Sequence, residues 1–193
     1  MAVPLTAYLA DGGSYAGFDV VGEEVRWCQT AITPRFPAFR FERVDVHNAR
    51  YNPGGTVRAD EFRFPYEDAS FDFAFATSVF THMLPPHVEH YLDELARVLR
   101  PAGTALLTWF LLTDDSRAAL ASGDTRFSFA HSAGVASIDD PESPEAAVAY
   151  PETWVREQAA ARGLALRSLH PGGWCGHPEP ATWQDVVVVE RRS

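Results

Sequence analysis

The sequence has 193 residues, a formal net charge of −10 and two cysteines. A chain of this length suits one domain with a buried core, and its acidic balance argues against the basic face that general nucleic-acid binding needs. Two cysteines are too few for a disulfide framework, so a reducing cytoplasm is the expected compartment. The N-terminal residues lack the pattern of a signal peptide, and no apolar run reaches the ~20 residues of a membrane span. We therefore expect a cytoplasmic domain that binds neither nucleic acid nor membrane.

The first 55 residues alternate predicted helices with predicted strands. The pattern predicts a helix over 3–9 with a turn at Asp11, Gly12 and Gly13, a strand over 14–21, a helix over 23–31 and a strand over 39–46. Pro34 and Pro37 separate the second helix from the second strand, because proline interrupts helical hydrogen bonding. Residues 47–55 then have the composition of a loop.

Residues 62–112 read as strand, helix and strand. An apolar run over 71–76 predicts a buried strand, Pro85 and Pro86 open an amphipathic helix, and Arg100 to Gly103 end it before a second apolar strand over 104–112. Two buried strands joined by such a helix form a βαβ unit, which implies a parallel sheet. Ligands of these sheets bind beyond the carboxyl ends of the strands. Four residues that follow the first of these strands are therefore expected at the rim of a site: Thr77, Ser78, Phe80 and His82.

The last 80 residues predict one long irregular segment and a final strand pair. A short helix over 114–122 precedes residues 123–150, which are rich in Ser, Gly, Pro and Asp. We expect residues 113–150 to be a lid or loop insertion within a single domain that covers residues 1–193. A helix over 151–162 ends at Gly163, a strand follows over 164–169, and residues 185–190 are its antiparallel partner.

The 62–112 unit resembles the second half of a class I S-adenosylmethionine-dependent methyltransferase. The resemblance is carried by an acidic turn, a strand ending FATSVFTHM, a helix ending ELARVLRPAG and the strand TALLTWFLL. It extends from about residue 1 to the C-terminus, and RVLRPAG is its most specific piece. It implies a Rossmann-like α/β fold: a mostly parallel sheet, helices on both faces and a C-terminal antiparallel strand. It also implies S-adenosylmethionine as cofactor and a small molecule as methyl acceptor. The acceptor atom is left open, because the sequence does not distinguish O-, N- and C-methylation.

Two acidic residues lie at the ends of predicted strands and are candidates for holding an adenosyl group. Asp19 ends the first predicted strand, where a carboxylate can accept the two ribose hydroxyls; the alternative is a turn or helix-capping acid. The resemblance implies that Asp45 holds the adenine amino group, and a turn acid is again the alternative. The remaining cofactor-binding residues that it implies are Val20, Val46, Ala76, Thr77 and Ser78.

Aromatic and histidine residues near the same rim are candidates for the acceptor pocket. His82 has a pKa range suited to a general base, although a polar residue beside the loop explains it equally well. Cys175 and His177 form one pair and lack the four ligands of a zinc site, so we expect no metal. An aromatic wall is the preferred interpretation of that loop. The predicted acceptor residues are Phe80, His82, Trp174 and His177.

The sequence departs from the family pattern before Asp19. The family's first strand and glycine-rich turn have no counterpart there, which predicts an unfilled slot in the sheet between the strands ending at Asp19 and Thr77. Three explanations are open. The chain has an altered start or is trimmed; the remaining strands close the slot or another chain fills it; or the protein is a degenerate relative that no longer catalyses. The second predicts a homo-oligomer through the open sheet edge. A non-catalytic methyltransferase-like interaction subunit is the alternative function.

Overall fold

The computed structural model describes residues 2–9, 12–123 and 125–193. Residue contacts divide the chain into two compact units, the first ending at Arg58 and the second running from Ala59 to Ser193. The predicted turn residue Asp11 lies outside the described residues. The single-domain organisation stays a prediction.

The first unit is a helix–strand–helix–strand segment, as the sequence predicts. Its elements are α1 (Ala2–Tyr8), β1 (Tyr15–Asp19), α2 (Gly22–Ala31) and β2 (Phe39–Arg43). β1 and β2 pair in parallel, from Tyr15 opposite Phe39 to Asp19 opposite Arg43. A small apolar cluster of Ala2, Ile32 and Phe39 joins the first helix to the strands. Acidic residues in the first turn of α2 favour helix formation there, because they complement the helix dipole.

The second unit contains the predicted βαβ unit and the predicted final strand pair. Its strands are β3 (Phe71–Ala76), β4 (Leu99–Trp109), β5 (Leu111–Leu112), β6 (His131–Ala133), β7 (Ala136–Ile138), β8 (Val148–Pro151), β9 (Leu164–His170) and β10 (Asp185–Arg191). Its α-helices are α3 (Pro85–Val98), α4 (Asp114–Ser122) and α5 (Glu152–Ala161).

The main sheet of this unit has the strand order β3-β4-β10-β9. β3 and β4 are parallel, whereas β10 lies between β4 and β9 and runs antiparallel to both. The C-terminal antiparallel strand is thereby confirmed.

α3 crosses from β3 to β4 with one apolar face buried. Its buried apolar residues recur at helical spacing: Val88, Tyr91, Leu92, Leu95 and Val98. Each such side chain contributes roughly 1.5–3 kcal/mol when fully buried. The helix ends at Val98 and β4 begins at the next residue, not after Gly103 as the sequence predicts. Within β4, Ala102 has the left-handed φ of 64°, and it lies where the pairing with β3 shifts between Leu99 and Thr104.

A second small sheet replaces most of the irregular segment expected over 123–150. Its strand order is β5-β8-β7-β6, and β6 and β7 form a hairpin that pairs Ala133 with Ala136. Gly134, with a φ of 69°, is the first residue of the two-residue turn, a position that glycine favours. The expectation of an irregular segment was wrong because β7 buries its first and third residues and β8 buries Val148, Ala149 and Tyr150 in the core. A lid role for residues 113–150 stays a prediction. No helix within the described ranges is long and apolar enough to cross a membrane.

Candidate functional site

The carboxyl ends of β1 and β2 bring Asp19 and Asp45 to the same end of the first unit. Asp19 is the last residue of β1 and lies opposite Arg43, the last residue of β2. The Val44 N–H donates to the Asp19 carbonyl oxygen at 3.0 Å, and Asp45 is the next residue. Because the strands are parallel, both carboxylates belong to one edge.

Asp19 has an exposed carboxylate that also stabilises the turn into α2. Its Oδ1 accepts a hydrogen bond from the Val21 N–H at 2.9 Å, one residue before the helix begins. The turn role is therefore real, yet a carboxylate has about four acceptor positions. The neighbouring Val20 is half-buried. The ribose-binding role of Asp19 remains compatible with this geometry and stays a prediction.

Asp45 fastens the loop that follows β2. Its Oδ2 accepts from the Thr56 hydroxyl at 2.7 Å and the Thr56 N–H at 3.2 Å, while Oδ1 lies 3.5 Å from the Asn52 amide nitrogen. These hydrogen bonds, the one from the Thr56 hydroxyl above all, lower the pKa of Asp45. Val46 is buried and bridges to Val57. The turn-acid interpretation has a structural basis, and the adenine-binding role of Asp45 and Val46 stays a prediction.

The donor and acceptor chemistry of this edge fits the nucleoside end of S-adenosylmethionine. Ribose hydroxyls and an adenine amino group are donors, and two carboxylates supply acceptors. For the methionine end, Gly12 and Gly13 lie between α1 and β1, so they lead into a strand and not from a strand into a helix. The described residues therefore fit the adenosyl group through acidic side chains, without a glycine cradle.

A polar network connects the segment after β3 with the start of β10. The Ser78 N–H donates to Thr108 Oγ1 at 2.8 Å, and both hydroxyls donate to Gln184 Oε1, Thr108 at 2.6 Å and Ser78 at 3.2 Å. Gln184 Nε2 in turn donates to the buried Thr81 hydroxyl at 3.3 Å. Ser78 has a φ of 55°, which is uncommon for a residue other than glycine. The network therefore fixes Ser78 two residues after the end of β3. The cofactor-binding role of Ala76, Thr77 and Ser78 stays a prediction.

Phe80 and His82 follow this segment in a short 3-10 turn, Phe80–His82. Phe80 is completely buried and stacks on Trp109 with ring centroids 4.4 Å apart, so its ring is part of the core. His82 Nδ1 lies 3.0 Å from the Glu145 carbonyl oxygen. A carbonyl oxygen only accepts, so Nδ1 carries the proton and Nε2 is the basic nitrogen of the neutral ring.

The loop after β9 places its two predicted acceptor residues differently. Trp174 is 1% exposed and packs with Phe110 and Phe129, so its ring belongs to a core cluster. His177 is exposed and lines a cleft that also contains Cys175. Burial and the nearby charge of Asp185 raise the pKa of the Cys175 thiol, which keeps it protonated. Within the described ranges, no three His, Cys, Asp or Glu side chains form a group that could hold a metal ion.

The cleft itself was not predicted from the sequence. It has a volume of about 560 Å³ and lies among the starts of α4 and α5, the end of β9 and the loop before β10. Asp115, Glu152 and the buried Asp185 contribute carboxylates to its wall. Asp185, Thr108 and Gln184 form hydrogen bonds with residues far from them in the sequence. No local sequence pattern predicts such partners.

Solved structures of other proteins share the fold of this chain. A SAM-dependent methyltransferase of Methanosarcina mazei is 18% identical with a TM-score of 0.59, over 100% of this chain and 87% of that chain. The Burkholderia thailandensis 1,6-didemethyltoxoflavin-N1-methyltransferase, solved with 1,6-didemethyltoxoflavin and S-adenosylhomocysteine, is 17% identical with a TM-score of 0.57, over 97% and 66%. The PH0226 protein of Pyrococcus horikoshii is 17% identical with a TM-score of 0.59, over 100% and 76%. At these identities the similarity concerns the fold, which is the Rossmann-like α/β fold expected from the sequence.

A family described as a methyltransferase domain matches residues 3–107, more than half of this chain. The chain therefore belongs to that methyltransferase family. It is an S-adenosylmethionine-dependent methyltransferase, as the resemblance of residues 62–112 implied. The alternative of a non-catalytic interaction subunit gains no support from these comparisons.

Proposed function

We propose that this methyltransferase transfers the methyl group of S-adenosylmethionine to a small organic molecule. The acidic chain, with a net charge of −10, favours a small acceptor over a nucleic-acid substrate. The similar Burkholderia enzyme was solved with a small heterocyclic molecule, which supports the same class of acceptor here.

The adenosyl group is held by Asp19 and Asp45. The observation that carries this proposal is their position at the shared carboxyl end of the parallel strands β1 and β2. Asp19 accepts the ribose hydroxyls with the acceptor positions that Val21 leaves open, and Asp45 accepts from the adenine amino group. Val20 and Val46 follow or flank these acids along the backbone.

S-adenosylmethionine, when bound, supplies an electrophilic methyl group on a sulfonium centre. The protein has to align the acceptor, since an in-line displacement gains much of its acceleration from orientation. His82 accepts the acceptor's proton at Nε2, because Nδ1 donates to the Glu145 carbonyl oxygen. His177, which is exposed in the cleft, contacts the acceptor, and Phe80 and Trp174 support the rim from the core.

Calorimetric titration of the 193-residue chain with S-adenosylhomocysteine tests the cofactor assignment. Asp19→Asn keeps the oxygen that accepts from Val21 N–H but removes the charge, so we expect about a tenfold loss of affinity without unfolding. Glu42→Gln, an exposed acid on β2, is the matched control and should bind normally. Absence of binding heat with either form of the cofactor would refute the proposal.

A further inference from the structure

Asp185 is a buried carboxylate that has no cationic partner among the residues that the structure describes. It is 4% exposed, and its oxygens accept from three N–H groups: Gly172 N at 2.7 Å, Leu111 N at 2.7 Å and Trp174 Nε1 at 2.8 Å. None of the ion pairs among the described residues includes Asp185. All three donors are neutral, so they orient the carboxylate without cancelling its charge.

Burial of such a charge is unfavourable unless something compensates it. A buried charge is normally paired with an opposite charge or a metal ion, because removal from water costs several kcal/mol. Burial accordingly raises the pKa of Asp185. Since Asp185 lines the cleft of about 560 Å³, a cation bound there would supply the missing charge.

The other charges of the cleft have the same sign. Asp115 is exposed at its wall, and Glu152 is already paired with Arg156 at 2.6 Å. Among the described residues, no Arg lines the cleft, and the sequence contains no Lys. His177 is the one described residue in the cleft wall with a side chain that can carry a positive charge. The volume lies within the range of small-molecule sites.

The helix starts at the cleft do not reverse this preference. At the start of α4, a capping box engages two N–H groups: Thr113 Oγ1 accepts from Ser116 N–H, and Ser116 Oγ accepts from Thr113 N–H. Acidic residues occupy the first turns of both α4 and α5 and counter their dipoles. Apolar surface from Leu169, Pro171 and Pro178 completes the wall.

We propose that this cleft binds a small molecule bearing a primary ammonium group, which Asp185 and Asp115 recognise, next to an apolar body. The inference rests on the proposed function in that this molecule is the methyl acceptor. The preceding residue, Gln184, belongs to the network that holds Ser78 at the rim, so one strand start connects the cleft with the segment after β3.

Ligand-detected NMR titration of the 193-residue chain with benzylamine, benzyl alcohol and benzoate tests the charge preference. The three probes share one ring and differ in charge. We expect benzylamine to bind about tenfold more tightly than benzyl alcohol, benzoate to bind least, and high salt to weaken benzylamine alone. Equal binding of the three probes, preferential binding of benzoate, or no binding would overturn the proposal.

Variants locate the probe. Asp115→Asn alters an exposed wall residue and should weaken benzylamine by about fivefold, whereas its neighbour Asp114→Asn, outside the cleft, should leave binding within about twofold. Asp185→Asn should abolish the preference for benzylamine, provided that this variant folds. If Asp185→Asn does not fold, the affinity of Asp115→Asn for benzylamine tests the site. Equal effects of Asp114→Asn and Asp115→Asn would refute the site.

The cofactor titration on the same sample separates the two proposals. Binding of S-adenosylhomocysteine without any preference for benzylamine overturns the ammonium cleft and leaves the methyl-transfer proposal standing. Preference for benzylamine without cofactor binding overturns the methyl-transfer proposal alone and leaves the ammonium cleft as a binding site.

Discussion

Asp45 illustrates how one side chain can fold its own loop at a candidate site. Its carboxylate accepts two hydrogen bonds from Thr56 and lies near Asn52, which donates to the Val46 carbonyl oxygen at 2.9 Å. Gly55 permits this closure, because a Cβ there would lie 2.7 Å from the His47 nitrogen. A loop tied in this way presents the carboxylate in a defined orientation, which a nucleoside-binding role also needs.

Replacement of Thr56 by Val should raise the pKa of Asp45 toward its ordinary value of about 3.9, because the largest cause of the lowering is the Thr56 hydroxyl. A lowered pKa means that Asp45 stabilises the folded loop above its unfolded pKa and loses this contribution as pH falls through the folded value. Carboxyl carbon shifts in an NMR pH titration measure the effect. Thr30→Val, which removes a hydroxyl bonded to α2 itself, is the control. An unchanged Asp45 titration in Thr56→Val would contradict the assignment.

At the scale of elements, a buried ion pair attaches the segment before β3 to α3. Glu94 is 7% exposed and accepts from the Phe64 N–H at 2.6 Å and from Arg97 at 2.6 and 2.8 Å. Arg97 also donates to the carbonyl oxygens of Phe64 and Tyr66 and to Asp68. These partners raise the pKa of Arg97 and lower that of Glu94 against the effect of burial. The pair thereby satisfies backbone groups of a segment without regular structure.

Arg97→Met should lower the free energy of unfolding by about 3–5 kcal/mol, because Glu94 would remain buried and charged without its partner. Arg100→Met removes a comparable cation from an exposed pair with Asp72 and should cost at most ~1 kcal/mol. Urea unfolding of both variants measures the difference. Equal losses in the two variants would show that the Glu94–Arg97 pair has no special role.

At the scale of the whole molecule, the two units differ in the size of their sheets and of their buried cores. The first has a two-stranded sheet and a small apolar cluster, whereas the second has a four-stranded sheet in which Ala105, Leu107 and Val187 are almost fully buried. Two strands alone are marginally stable, and more strands with a buried face are needed for independent stability. Local opening is therefore expected to be easier in the first unit.

Hydrogen-exchange mass spectrometry should show faster amide exchange in β1 and β2 than in β4 and β10, after correction for intrinsic rates. The expected difference is at least about tenfold, equivalent to ~1.4 kcal/mol of opening free energy. Addition of S-adenosylhomocysteine should slow exchange around Asp19 and Asp45 if they hold the cofactor. Equal protection of the two strand pairs without cofactor would contradict the difference in stability.

Local patterns in the sequence were sufficient for the regular elements outside residues 123–150 and for the family. The helical spacing of Val88, Tyr91 and Leu95, the proline start of α3 and the apolar runs of β3 and β10 each act within a few residues, so these elements can be predicted along the chain. The predicted burial of β3 was wrong, because β3 is an edge strand of its sheet and Phe73 is 50% exposed. The strand end at Asp19 was predicted for the same reason, whereas β2 ends at Arg43, two residues before Asp45, and not at Asp45 as predicted. The hairpin of β6 and β7 had one usable signal, the glycine-containing turn at Gly134, which the polar composition around it obscured.

Only the tertiary structure decided which polar side chains share a site. The three donors to Asp185 come from residues 111, 172 and 174, and Gln184 reaches Ser78 across 106 positions of the chain. Trp174 likewise turned into the core, where its indole N–H binds Asp185. Hydrogen bonds and burial of this kind depend on which segments the folded sheet brings side by side. The amino-acid order along one segment contains no record of that neighbour, so the ammonium cleft was visible only in three dimensions.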